Sequence, residues 1–123
     1  MKIYEHLTIK FSNLENVQTV LKKFKNCQIN IIWSKECLLW LGPHVMNEFK
    51  KIINDKKVNL IAEVGKNLGL ALALIELKVQ NISVSESLNK TLKDKIKSLA
   101  STKGTEVLIT EKFIEIKNTD DLI

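Results

Sequence analysis

Hydrophobic and polar positions follow two rhythms along the chain, a period of about two in short runs and near 3.6 in the stretches between them. Val58, Leu60, Ile61 and Ala62 make an apolar run that stops at Glu63, the pattern of a buried strand. Gly65 and Asn67 then supply turn and N-cap chemistry. Between Leu68 and Leu77 there is scarcely a polar residue before Glu76, which predicts a helix buried on nearly every face. Ile82 to Val84 opens the next strand. So short a crossover implies a parallel sheet with helices on both faces.

The other runs extend this pattern. Lys2 to Phe11 alternates, with Ile3, Leu7, Ile9 and Phe11 on one side and Tyr4, His6, Thr8 and Lys10 on the other, as in a half-solvated edge strand. Ser12 and Glu15 form a capping box for a helix from about Asn13 to Lys25, with Leu14, Val17, Leu21 and Phe24 as its apolar stripe. Ile29 to Trp33 is nearly all apolar and reads as a central strand. Ser34 to Gly42 reads as a loop, and Pro43 starts a helix that runs to about Asn54. A further helix is expected from Glu86 to Thr102, stopped by Gly104, and a strand from Glu106 to Thr110. Phe113 to Ile116 reads as one more short strand, and Asn118 to Ile123 as a tail.

Residues 1–123 are therefore expected to form one α/β domain. Its architecture would be a three-layer α/β/α sandwich around a mostly parallel sheet of about four to six strands, with the N-terminal strand at an edge.

Composition narrows the class. An apolar fraction of 45% with 27% charged residues is that of an ordinary soluble domain. No run approaches the ~18 apolar residues of a membrane span, and the first residues do not read as a signal peptide, so a cytoplasmic protein is expected. Cys27 and Cys37 flank a five-residue strand. Such a strand spans about 17 Å, too far for a disulfide. The net charge of +5 comes from lysine alone, because the chain contains no arginine. Arginine is the residue that grips phosphates bidentately and reads guanine edges, so a nucleic-acid partner is not expected.

Ligands in open parallel sheets bind beyond the carboxyl ends of the strands. That rim would carry Ser34, Lys35, Glu36 and Cys37, then Glu63, Gly65, Lys66 and Asn67, then Ser85, Glu86 and Ser87, then Thr110, Glu111 and Lys112. Gly65-Lys66-Asn67 fails the phosphate-loop pattern at both ends, since Leu60 and Asn67 stand where glycine and Ser/Thr are needed. The turn could still offer amides to an anion. Cys37 and His44 lack a third group to orient them, and His6, His44, Cys27 and Cys37 lack ligand spacing, so no catalytic centre, metal or cofactor is expected. If there were an enzyme here, Glu36, Glu63 and Cys37 would be its actors. Apolar side chains suggest contacts instead. Trp33, Leu38, Leu39, Trp40 and Leu41 crowd what reads as a loop, and the outer face of the Leu68–Leu77 helix needs cover from a second protomer or from the C-terminal segment.

Two resemblances attach to these segments. Gly42-Pro43-His44 ahead of Phe49, with Glu63-Val64-Gly65-Lys66-Asn67-Leu68-Gly69-Leu70-Ala71-Leu72-Ala73, resembles a family of small proteobacterial α/β proteins of unassigned activity, over about residues 42–84. It differs in Val64, where that family favours cysteine. Asn67-Leu68-Gly69-Leu70 between two strands is similar to the helix start of STAS (anti-sigma-factor antagonist) domains. That resemblance implies a partner-binding regulator, although Leu68 stands where the family's phosphorylated serine would be.

The function expected is a non-catalytic protein-interaction or regulatory module, forming a homodimer or meeting a protein partner through Trp33, Trp40, Leu70, Leu74 and Leu77. The alternative is a small-molecule or anion site, for a phosphate-bearing ligand, at Glu63, Gly65, Lys66, Asn67, Ser85 and Ser87.

Overall fold

The computed structural model describes residues 2–11, 14–24, 27–53 and 56–118. The strands are β1 (Leu7–Phe11), β2 (Ile29–Trp33), β3 (Val58–Gly65), β4 (Asn81–Val84), β5 (Glu106–Ile109) and β6 (Ile116–Asn118). They form one sheet, in the order β5-β4-β3-β2-β1-β6, and every pairing is parallel. The helices are α1 (Leu14–Lys23), α2 (Lys35–Leu41), α3 (Val45–Ile52), α4 (Leu68–Glu76) and α5 (Lys90–Lys103). The α/β class and the parallel sheet are as the sequence predicts.

The layers differ from the expectation in one respect. From β1 to β5 each strand pairs with the next in sequence, so the chain advances across the sheet in one direction. Right-handed crossovers that never reverse direction leave every helix on the same face. The packing agrees, because Val17, Leu38, Phe49, Leu74 and Ile96, one from each helix, share a single core with Ile9, Ile31, Leu60, Ile82 and Ile109. Strand residues of the other parity, Ile32, Ile61 and Leu108, form a second, smaller core with Ile3, Tyr4, Phe113 and Ile116. The third layer is therefore made of 3-10 turns at Lys2–Glu5 and Thr110–Lys112 and the chain that follows, not of α-helices.

Closing that second face explains three other departures. Lys2–Glu5 leaves the strand pattern so that Tyr4 can turn under the sheet, where its ring meets Phe113 edge-on at 4.9 Å and its hydroxyl accepts a bond from the Ile109 amide at 2.9 Å. The last strand forms at Ile116–Asn118, two residues beyond its expected end, because it pairs with Thr8–Lys10 on the far side of β1. That pairing takes β1 away from the sheet edge. Polar groups on this face are tied together. Thr8, Asn30 and Asn59 are in register on β1, β2 and β3. Asn30 donates to Thr8 Oγ1 at 3.1 Å and to the Ile3 carbonyl, and Asn59 donates to Asn30 Oδ1 at 3.1 Å. A buried amide is tolerated in a central strand only when satisfied in this way.

Local signals set most boundaries. Asn67 caps α4 by accepting from the Leu70 amide at 2.9 Å, and Gly104 ends α5 with φ +77°. Ser34 caps α2 by accepting from the Cys37 amide at 3.1 Å, which makes residues 35–41 a helix where a loop was expected. The helix read as starting at Glu86 begins at Lys90, after the Asn89 cap. Ser12, the Leu14 side chain, Asn54 and the tail residues 119–123 lie outside the described residues. Left-handed backbone occurs at Gly42, Gly65, Gly104 and Lys78 (φ +57°). At Lys78 an L side chain costs about 1 kcal/mol.

Three residues expected at an interface belong to the interior. Trp33 is fully buried and stacks on Phe49 with ring centroids 3.6 Å apart, and Leu70 and Leu74 are core residues of α4. Leu77 is partly buried against the same core. α5 packs beside α4 and gives Ile96 and Ala100 to the same core, while Leu72 of α4 stays exposed. Leu74→Asp is thus expected to destabilise the fold by more than about 3 kcal/mol, because the carboxylate would have no partner in that core. A denaturant midpoint equal to wild type would contradict the packing described.

Candidate functional site

β3 is the longest strand and extends past β2 at its carboxyl end, where its last residue, Gly65, pairs with Val84 of β4. Its pairing with β4 shifts between Glu63 and Gly65, and Gly65 takes φ +58°. Here the Ser85 amide bonds the Gly65 carbonyl at 3.0 Å. A cleft of about 400 Å³ opens around this overhang. On one side are Lys10 from β1 and Lys35 and Glu36 from the start of α2; Glu63, Gly65 and Lys66 form the middle; Ser85, Thr110 and Glu111 close the far side.

Half of the charged groups in the cleft are already engaged. Glu63 accepts from Lys10 Nζ at 3.1 Å with one oxygen and from the Lys35 backbone amide at 3.1 Å with the other. It thereby ties β1 to the α2 N-terminus, where a carboxylate also complements the helix dipole. Glu111 accepts from the Glu86 amide at 3.0 Å and from Ser85 Oγ at 3.2 Å, which holds the loop after β4 against the 3-10 turn after β5. These bonds, the Glu86 amide foremost, hold the Glu111 carboxyl below its ordinary pKa. Thr110 Oγ1 donates to Ser83 Oγ at 3.0 Å.

The side chains of Lys35, Glu36 and Lys66 hold no hydrogen bond or ion pair with any described residue. Lys35 lies across Gly65, its Cδ and Nζ 3.6 Å from where a Cβ would stand. The turns after β2 and β3 thus each bring an unpaired lysine to the same cleft.

Lys35, Glu36, Glu63, Gly65, Lys66, Ser85, Thr110 and Glu111, all expected at the rim, line the cleft, and among them are four of the six residues expected to bind a ligand, Glu63, Gly65, Lys66 and Ser85. Asn67 does not, because its side chain is spent capping α4, and Ser87 sits behind Ser85, 2.9 Å from its hydroxyl. Cys37 is buried among core residues, and burial raises its thiol pKa, so it is protected rather than activated. Lys10 is a rim residue that the sequence pattern hides. Alternation places it on a solvated edge, whereas β6 encloses β1 and Glu63 holds its ammonium. Of the expected interface, only Trp40 stands clear, 87% exposed between the exposed Leu39 and Leu41 at the end of α2. Among the described residues no helix is long and apolar enough to cross a membrane. In comparisons with known proteins, the chain matches no family model and no curated protein.

The Glu111 clamp has a defined pH dependence. A folded-state pKa below the ordinary value contributes stability above the carboxylate range, and that contribution is lost as the pH falls through it. The Glu86 amide resonance is expected to titrate below the usual glutamate midpoint and to lose that transition in Glu111→Gln. An ordinary glutamate midpoint at Glu86 would show that the clamp does not form.

Proposed function

We propose that this protein is a non-catalytic binding module whose working surface is the strand-end cleft, and that its ligand is a small polar molecule bearing a phosphate or carboxylate. The observation that carries this reading is the pair of uncommitted ammonium groups in the cleft lining, Lys35, which lies across Gly65, and Lys66, the next residue of the chain. Lysine offers three donors from a point charge, which suits an anion of either type. The space beside Gly65 is occupied by the Lys35 side chain itself, which brings that ammonium to the strand-end backbone. On the opposite wall the Ser85 and Thr110 hydroxyls already donate, to Glu111 and to Ser83, so the two ammonium groups are left to meet the anion.

The engaged carboxylates favour binding over catalysis. A general acid at neutral pH needs a raised pKa. Glu111 is shifted the other way, and Glu63 is occupied by two donors. These two groups hold the cleft in shape, and Glu36 is the uncommitted carboxylate among the described lining residues.

Titration with inorganic phosphate and with succinate in a calorimeter tests the reading. Saturable binding is expected for at least one of them, weakened about tenfold in Lys66→Ala and in Lys35→Ala, as loss of one charge-assisted bond implies. Thermal unfolding of both variants should stay near wild type, since neither ammonium holds a structural partner. Binding that is absent in wild type, or unchanged in both variants, would reject the cleft as the site.

A second reading rests on Trp40. An indole 87% exposed beside two half-exposed leucines is the kind of apolar patch that marks a protein contact, a second copy of the chain included. Light scattering on wild type and Trp40→Ser would decide it. A dimer that becomes monomeric in the variant supports an interface there, and a monomer in both removes it.

A further inference from the structure

Lys78 occupies a place in the backbone that suits glycine, and glycine fills the other three left-handed positions of the described chain. The turn is a complete helix stop. Lys78 donates its amide to the Ile75 carbonyl at 2.9 Å and Val79 donates to the Leu74 carbonyl at 3.3 Å. Nothing in those bonds requires a side chain at position 78. The Lys78 ammonium pairs with no carboxylate among the described residues. A strained residue with no structural partner for its side chain points to a role for that side chain.

That side chain lies on the rim of a second pocket, at the opposite end of the sheet from the strand-end cleft. The pocket measures about 240 Å³ and sits between α3 and the turn that joins α4 to β4. Met46, Leu60 and Val79 give it an apolar floor, each less than a tenth exposed. Lys50 and Lys78 stand on its rim, and Lys50 too has no carboxylate partner among the described residues. The nearby α4 carbonyls of Ala73, Leu74 and Ile75 are bonded within the turn.

We infer that this pocket is a second binding site, for a small amphipathic monocarboxylate whose apolar body rests on Met46, Leu60 and Val79 and whose carboxylate meets Lys50 and Lys78. The apolar floor selects for a hydrophobic body, and the two cations select for a single acidic head. The volume, below the ~300 Å³ where drug-sized ligands begin, limits that body to one ring or a short chain. This site shares no residue with the strand-end cleft, so either can fail without the other.

The test uses phenylacetate and its neutral analogue phenylacetamide, followed by amide chemical shifts in the full chain. Phenylacetate should move the Leu60, Val79 and Gln80 resonances saturably, and phenylacetamide should bind at least about fivefold more weakly. Lys78→Gly relieves the left-handed position, so it is expected to fold at least as well as wild type while binding phenylacetate about fivefold more weakly. Lys50→Ala should weaken binding in the same direction. The inference is overturned if wild type shows no saturable shift with phenylacetate. It is also overturned if the amide binds as well as the acid, or if Lys78→Gly and Lys50→Ala both bind like wild type.

Discussion

The handedness of the β–α–β crossover is the constraint on which the rest of this structure depends. Because every strand from β1 to β5 pairs with its successor, right-handed crossovers have only one face on which to lay a helix. The five α-helices and their sheet partners then share one continuous core. The opposite face is left open, and a sheet with apolar residues such as Ile32 and Ile61 cannot leave it wet. The ends of the chain solve the problem by folding under, with Tyr4 and Phe113 in contact and the Thr8–Asn30–Asn59 ladder satisfying the amides that remain.

The same constraint gathers the polar groups of the cleft. In a doubly wound sheet the crevice opens where the strand order reverses and helices part to opposite faces. Here there is no reversal between β1 and β5. The cleft comes instead from the extra length of β3, its irregular pairing with β4 and the left-handed Gly65, which together bring Lys66 into the cleft that Lys35 and Glu36 of α2 also line. Glu63 and Glu111 brace the two walls. The engaged charges build the cleft, and the free ones are left for a ligand.

How much of this could be read in the sequence follows from how local each signal is. Asn67, Gly65 and Gly104 act through their nearest neighbours, so the turns and caps they set were legible. The β3–α4–β4 unit was legible because each of its elements buries an unmistakable apolar run. Layering was not, since it depends on the direction of every crossover at once. Nor was the role of Tyr4, whose partners Ile109 and Phe113 stand more than a hundred residues along the chain. For α2, Ser34 was a readable cap, but the density of Leu38, Leu39, Trp40 and Leu41 masked it. Lys10 was hidden because alternation reports which face a residue takes, not which strand will later close beside it.

The central claim is that the free lysines of the strand-end cleft form a localised site rather than part of a general basic surface. The most direct measurement is an amide chemical-shift map during titration with inorganic phosphate at fixed ionic strength. The account predicts saturable changes confined to Gly65, Lys66, Ser85 and Thr110 and their immediate neighbours. Non-saturating changes spread along the lysines of α5 would contradict it, and would reduce the cleft to one more stretch of cationic surface.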